Sequence, residues 1–474
     1  WWVNTPWLDR YGGEPHDIYL PMSVCRIDSL GNIGNPTQLN LLSIDNSYGD
    51  MPTEVPDEVT PHLLKGRYDQ PSAPGPLVWV YPFDEYHRWA YNEPARLPEI
   101  YYGDWYIRQA INNGFPLNTV ISTTAFQQVA ALKPDYFSSS ILVTIAPDAG
   151  SSLETALMNF VKKGGKLIIY GPADHISPAF SSFLNLKNDK PLQGVFRLSA
   201  GFRSIDTFLD NKTPDSIQHR DSFCGGGLST LLKNPADRFT SQVISLYQDK
   251  AKRDEAWVRE DPSWNGGIVA YVRGTNSASF RGGKLLTPDD PGKWFVGGNY
   301  IRYILQGFGL HYAFEKASTS VKSPILTISR SNNAYFFSGY VPNTTVKQVF
   351  SLPQGAPVFT GYQTKLEEGR TTCYMPTAWH KECRVFVTQN KGIISCKEGV
   401  PGQKDISRRI EISGLENATV RIFPPDTIAP EKLVIHSNSG YPWKKKAEPL
   451  IEGEKAFGRN YVVKNVTGRL TVSW

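Results

Sequence analysis

The residues best suited to chemistry follow an apolar run. Leu77, Val78, Trp79, Val80 and Tyr81 lead into Pro82, Phe83, Asp84, Glu85, Tyr86, His87, Arg88 and Trp89. Carboxylates and an imidazole at a strand end can shuttle protons, and flat rings can cover the apolar face of a pyranoside. Asp84, Glu85, His87 and Trp89 are therefore candidate sugar contacts, and Asp84 and Glu85 candidate acid/base residues. The competing reading is an interface loop whose charges pair among themselves. Asp45 ends another strand-like run, residues 39–44, with Asp50, Glu54 and Glu58 following. Glycosidases need two carboxylates roughly 5 to 10 Å apart, which nearness in sequence does not supply. Solvated loop acids compete with Asp45 as a catalytic residue.

Other chemistries lack their parts. The fourth strand of the α/β pattern runs into Gly171, Pro172, Ala173, Asp174 and His175. No Ser or Cys stands in that turn, and Pro172 has no N–H for an oxyanion, so acyl transfer is not expected there. Cys224 precedes Gly225, Gly226 and Gly227 but follows no clear strand, and such glycine triplets read as loops. Neither phosphate-binding glycine fingerprint occurs, so no nucleotide cofactor is expected. The five cysteines include no pair at zinc-finger spacing, and no metal is expected. They are also too few and too spread for a disulfide scaffold. Cys373 and Cys383 could pair across neighbouring strands, with free buried thiols as the alternative.

The elements that must position these residues read as an α/β alternation. Residues 77–81 form an unbroken apolar run, as in a strand covered on both faces. Asp104 reads as a helix N-cap, with Ile107, Ala110 and Ile111 as the apolar stripe before Gly114 and Pro116. Strands at 117–121 and 141–145 flank a helix through Phe126, Val129 and Ala130. Ser151 and Glu154 have capping-box spacing ahead of Leu153, Ala156, Leu157, Phe160 and Val161, and Gly164 closes that helix before the strand at 167–170.

A chain of 474 residues exceeds one core, so two or three domains are expected. Residues 1–75, rich in Pro, Gly and Asp with strand-like runs at 17–20 and 39–44, read as an arm or as the tail of a preceding domain. Residues 76–320 hold the α/β unit, with an excursion of weaker periodicity at 186–262, a strand at 267–273 and a helix at 300–308 that return to its sheet. From Val321 to Trp474 the period changes to two, in short runs at 325–329, 334–340, 346–352, 384–388, 409–413, 419–423, 433–436 and 470–474. That pattern predicts an antiparallel sandwich. The fold class is thus α/β followed by all-β.

The formal charge is +5, with Lys and Arg scattered and the one tight run, Lys444 to Lys446, in a polar stretch. A solvated face is the expectation there rather than nucleic-acid binding. No apolar run approaches the roughly 20 residues of a membrane span. Twelve Trp and twenty-three Tyr could line sugar clefts, although buried rings in large cores account for most.

Residues 77–173 resemble the class I glutamine-amidotransferase-like, flavodoxin-related fold in the form found in the trimerisation domain of family 42 β-galactosidases. The likeness lies in Asp104 and Trp105, in the strand and loop at 141–147, and in the passage from Phe160 and Val161 through Lys162, Lys163, Gly164, Gly165 and Lys166 to Gly171. Amidotransferases of that fold carry Gly-x-Cys-x-Gly where this chain has Tyr170, Gly171, Pro172 and Ala173, so no catalytic residue carries over. The resemblance implies the accessory, oligomerising portion of a glycoside hydrolase acting on β-linked glycans, with carbohydrate and further copies of the chain, in a trimer, as partners. It also implies a catalytic (α/β)₈ barrel of about 250 residues, of which residues 1–75 could supply only the tail, and export from the cytoplasm. Two other readings stay open: a stand-alone carbohydrate-binding or assembly protein, and a glycosidase using its own carboxylates.

Overall fold

The computed structural model describes residues 18–38, 54–200, 216–219, 224–275, 299–315, 323–341, 345–401, 406–437 and 447–474. Within them lie strands β1 (Cys25–Ile27), β2 (Ile33–Gly34), β3 (Leu77–Tyr81), β4 (Thr119–Ser122), β5 (Ile141–Ile145), β6 (Lys166–Tyr170), β7 (Leu186–Leu192), β8 (Gly194–Ala200), β9 (Ser216–His219), β10 (Leu228–Leu232), β11 (Thr240–Gln248), β12 (Ala251–Glu260) and β13 (Ile268–Val272). Helices α1 (Tyr19–Met22), α2 (Glu54–Tyr68), α3 (Phe83–Asn92), α4 (Leu97–Asn112), α5 (Thr123–Leu132), α6 (Ser152–Lys162), α7 (Pro178–Phe183) and α8 (Asn299–Ile304) accompany them.

The first sheet runs β2-β1-β4-β3-β5-β6-β13-β12-β11-β8-β9. β1, β4, β3, β5, β6 and β13 are parallel. From β4 to β13 the order is 2-1-3-4-5 in chain sequence, so the winding reverses between β3 and β5. Sheets of this order take ligands beyond the carboxyl ends of the strands at that reversal. Successive residues of β3 serve opposite cores, Leu77 one and Val78 and Val80 the other, which is why the run is unbroken. The excursion at 186–262 adds β8, β9, β11 and β12 as antiparallel strands of the same sheet, while β7 and β10 pair separately.

Local signals explain several helices. Ser151 Oγ accepts from the Glu154 N–H and caps α6, while the Glu154 carboxylate takes the Gly150 N–H and the Ser177 hydroxyl. Gly164, at φ +100°, ends α6 with the Gly165 N–H returning to the Phe160 carbonyl.

Other expectations need correction. Tyr19–Met22 is a helical turn rather than part of a strand at 17–20. Asp104 is not an N-cap: Pro98, tolerated in a first turn, lets α4 begin at Leu97 and leaves Asp104 mid-helix. Residues 83–92 form α3 rather than a loop, with Asp84 and Glu85 in the first turn, where the helix dipole favours acids, and Tyr86 and Trp89 buried three apart. The strand-like run at 39–44, Asp45 and Lys444 to Lys446 lie outside the described residues.

The second sheet is antiparallel. It begins at His311, ahead of the change of period, with β14 (His311–Glu315), then β15 (Ile325–Ser331), β16 (Ala334–Tyr340), β17 (Val346–Ser351), β18 (Ala356–Phe359), β19 (Tyr362–Glu367), β20 (Arg370–Met375), β21 (Ala378–Thr388), β22 (Gly392–Gly399), β23 (Arg409–Ile422), β24 (Val434–Ser437) and β25 (Tyr461–Ser473). Hydrogen bonds join all of these into one sheet. The runs at 409–413 and 419–423 are one strand whose register shifts twice against β25 between Leu415 and Val420. A core of Val358, Val385, Ile394, Ile412, Val420 and Val472 sits under β22, β23 and β25. The opposite end shares its core with the α/β sheet, since Tyr312, Phe337 and Trp379 cluster with Tyr106 and Ile107. All five cysteines are free thiols, Cys373 and Cys383 included.

Candidate functional site

The carboxyl ends of β3 and β5 meet in an ion-pair network. Asp148, three residues beyond β5, accepts from Arg96 Nη1 at 2.8 Å, from Arg88, and from Trp89 Nε1 at 3.4 Å. Arg96 forks onto Glu99, with Nε to Oε1 and Nη2 to Oε2 both at 3.0 Å, and lies 3.5 Å above the Trp89 ring centroid. Glu99 Oε1 is 3.2 Å from His175 Nε2, and Arg88 is 3.5 Å from Glu93. Burial alone would lower the Arg96 pKa, but Glu99 and Asp148 outweigh it and hold it above the usual value. The network pairs its own charges, with Arg96 buried and Arg88, Glu93 and His175 half-exposed.

The sequence candidates are spread around this network. Glu85 accepts from Thr123 Oγ1 at 2.8 Å and Asp84 from Thr124 Oγ1 at 2.5 Å, so both tie α3 to the start of α5. Burial raises the Glu85 pKa against the Thr123 bond. Trp89, only 2% exposed, is a platform for Arg96 and not a rim contact. His87 stays exposed between Phe83 and Tyr91, its ring 4.5 Å and 6.2 Å from theirs, and Tyr91 is 82% exposed. Spacing of four residues lines these three rings along the outer face of α3.

Three polar constellations were not anticipated. Beyond β13, Arg273 is buried and its Nη2 faces the carbonyls of Cys224, Gly225, Gly226 and Gly227 at 2.7, 3.3, 3.1 and 3.3 Å. The glycine triplet is thus a carbonyl cradle. Cys224 is wholly buried, with Sγ 3.4 Å from Thr275 Oγ1, which removes it from reach of an external substrate. His219 donates to the Gly226 carbonyl at 2.9 Å, and burial, helped by Arg273, pushes its pKa down to about 3.

Beside Arg273 sits Glu255. The β11–β12 register jumps from Ile244↔Ala256 to Ser245↔Asp254, leaving Glu255 as a bulged residue. A bulge re-aims a side chain, here among Tyr102, Tyr106 and Tyr300. The carboxylate is fully buried, and it approaches the Arg273 guanidinium and the Gly274 N–H without a well-formed hydrogen bond to either. Burial lifts its pKa to about 7 against both.

Ser338, His380 and Asp69 form a chain resembling a hydrolase triad, with Ser338 Oγ 2.7 Å from His380 Nδ1 and His380 Nε2 2.9 Å from Asp69 Oδ2. Ser338 is wholly buried, however, and Tyr19 stacks on the imidazole at 4.0 Å. A nucleophile must meet its substrate, so this chain serves to fasten α1 and α2 to the antiparallel sheet. No group of three His, Cys, Asp or Glu among the described residues has metal-binding geometry, and no helix there is long and apolar enough to cross a membrane.

No protein family's sequence profile matches the chain, and no curated protein matches it. Among solved structures, a catalytic mutant of Gan42B, a GH42 beta-galactosidase from G. stearothermophilus, aligns with a TM-score of 0.38 and 10% identity over 70% of this chain and 44% of its own. Alpha-L-fucosidase isoenzyme 2 from Paenibacillus thiaminolyticus aligns with a TM-score of 0.31 and 9% identity over 90% of this chain and 53% of its own. The chain spans about half the length of these two proteins.

Proposed function

We propose that the chain is the non-catalytic accessory and assembly portion of a multidomain glycoside hydrolase acting on β-linked glycans. The observation that carries this reading is the internally paired network at the β3 and β5 ends. Asp148, Glu99 and Arg96 bind one another where a sheet of this order would hold its ligand, and Asp84 and Glu85 are engaged by threonines. The sequence resemblance of residues 77–173 to the trimerisation domain of family 42 β-galactosidases points the same way. Phe83, His87 and Tyr91 on the outside of α3 give a second copy of the chain, or the wall of a sugar cleft, an exposed stripe of mutually tilted rings.

Sedimentation of the chain at micromolar concentration is expected to show a homotrimer, and aryl β-galactosides are expected to stay intact. Turnover abolished by Asp84→Asn or Glu85→Gln would place catalysis inside the chain and overturn the accessory reading. A monomer that binds glycan tightly would favour a stand-alone carbohydrate-binding protein.

A further inference from the structure

The antiparallel sheet carries a cleft lined by none of the residues of the ion-pair network. β17, β20, β19 and β22 lie side by side, and a cavity of about 510 Å³ opens over them. That is within the roughly 300–1,000 Å³ of small-ligand sites. Phe359 and Met375 give it an apolar floor. Two tyrosines line it yet remain in water, Tyr374 at 70% exposure and Tyr362 at 46%. A tyrosine offers a large apolar face, and β19 turns Thr364 and Leu366 inward while Gln363, Lys365 and Glu367 face out.

The charges around the rings are unequal. Lys347, Lys365 and Lys381 face the cleft with Glu367 as the one carboxylate. Lys365 is 2.5 Å from Glu367, and Lys347 is 3.5 Å from Glu315. Lys381 instead lies 3.6 Å from the Tyr362 ring centroid and donates to that phenol oxygen. Among the described residues no carboxylate pairs with it. An exposed ring suits any pyranose, whereas a cation held in place without a counter-charge selects an anion.

We propose that this cleft binds an anionic sugar unit of a glycan, a uronate or a sulfated pyranose, with the apolar sugar face on Tyr374 and the anionic group on Lys381. The assignment rests on the glycan-linked reading above and narrows its sugar class. The test is calorimetric titration of the whole chain with polygalacturonate, a sulfated galactan and a neutral β-1,4-galactan, repeated with Tyr374→Ala and Lys381→Gln. Both substitutions are at surface-accessible side chains, and circular dichroism checks the fold.

Either anionic polymer is expected to bind at least about tenfold more tightly than the neutral one, with a loss of about tenfold in each variant. The better of the two anionic polymers identifies carboxylate or sulfate. Binding unchanged in both variants would move the site elsewhere and sink this cleft while leaving the glycan-linked reading intact. Neutral galactan bound as tightly as the anionic polymers, with Lys381→Gln silent, would overturn the charge assignment. Equal binding of polyuridylate would show a general polyanion surface, and failure to bind any of the three glycans would end the proposal. The trimer and hydrolysis measurements are independent of all these outcomes.

Discussion

Replacing Glu255 by Gln should strengthen the protein at alkaline pH and leave it nearly unchanged in acid. Its carboxyl is lifted from 4.5 to about 7, chiefly by burial. The folded protein therefore holds the proton more tightly than the unfolded chain. Folding is favoured by this group below about pH 4.5, weakens as pH rises towards 7, and is weakened by a constant amount above that. At about 1.4 kcal/mol per pKa unit, the full penalty is about 3 kcal/mol. Glutamine keeps the shape and removes the charge. The assay is hydrogen exchange of the β12 and β13 amides at pH 5 and pH 8, read as the ratio of parent to variant rates so that intrinsic base catalysis cancels. The ratio should be only about 4-fold at pH 5 and reach about 300-fold at pH 8. An equal ratio at both pH values, or faster exchange in the variant at pH 8, would show that Glu255 is not charged against its surroundings.

Glu382 should behave in the opposite sense. Burial alone would raise its pKa, but Arg408, at 2.9 Å from Oε1, and Arg384, at 2.6 Å, outweigh it and hold the group down to about 2. Its contribution is present above about pH 4.5 and lost as pH falls towards 2, so Glu382→Gln should cost about 3 kcal/mol at pH 7 and much less at pH 2.5, read by urea unfolding. In the sheet, Gly339 stands directly opposite Trp379, and a Cβ there would lie 1.8 Å from the indole. Gly339→Ala should lower stability by about 1–3 kcal/mol through overpacking, with partial rescue by Trp379→Leu, and an unchanged melting temperature would contradict the packing.

Local patterns were legible where the physics is local. Ile141 to Ile145 declared a doubly covered strand because Ile141, Val143 and Ile145 feed one core and Leu142 the other, and Ser151 announced α6 because a cap is set within four residues. Asp104 misled because a good capping residue is equally at home mid-helix when its carboxyl meets Tyr81 and Arg108. α3 was hidden because Pro82 and the close-set Asp84, Glu85, His87 and Arg88 read as a polar loop at a strand end, although Tyr86 and Trp89, three apart, mark a buried side. Glu255 could not be found at all: its bulge is a property of its pairing with β11. The same holds for Asp69 and His380, which meet across 311 positions. The cleft left a readable trace in the alternation of Gln363, Lys365 and Glu367 with Thr364 and Leu366, but the convergence of Lys381 and Tyr374 depends on sheet order.

The two sheets are bound too closely to act as independent modules. Gly114, at φ +86°, sits where a Cβ would come within 2.7 Å of the Tyr312 ring, so the end of α4 is shaped by β14. Ser23 Oγ donates to Thr327 Oγ1 at 2.9 Å, Arg330 Nη1 to Ser139 Oγ at 2.8 Å, and His380 reaches Asp69. These bonds cross from one sheet to the other around a continuous apolar core, and separating the halves would strand buried polar groups and expose aromatic surface together. The ring stripe on α3 and the tyrosine cleft on the antiparallel sheet are therefore carried at a fixed spacing. Neither face can turn relative to the other without breaking those bonds and opening that core.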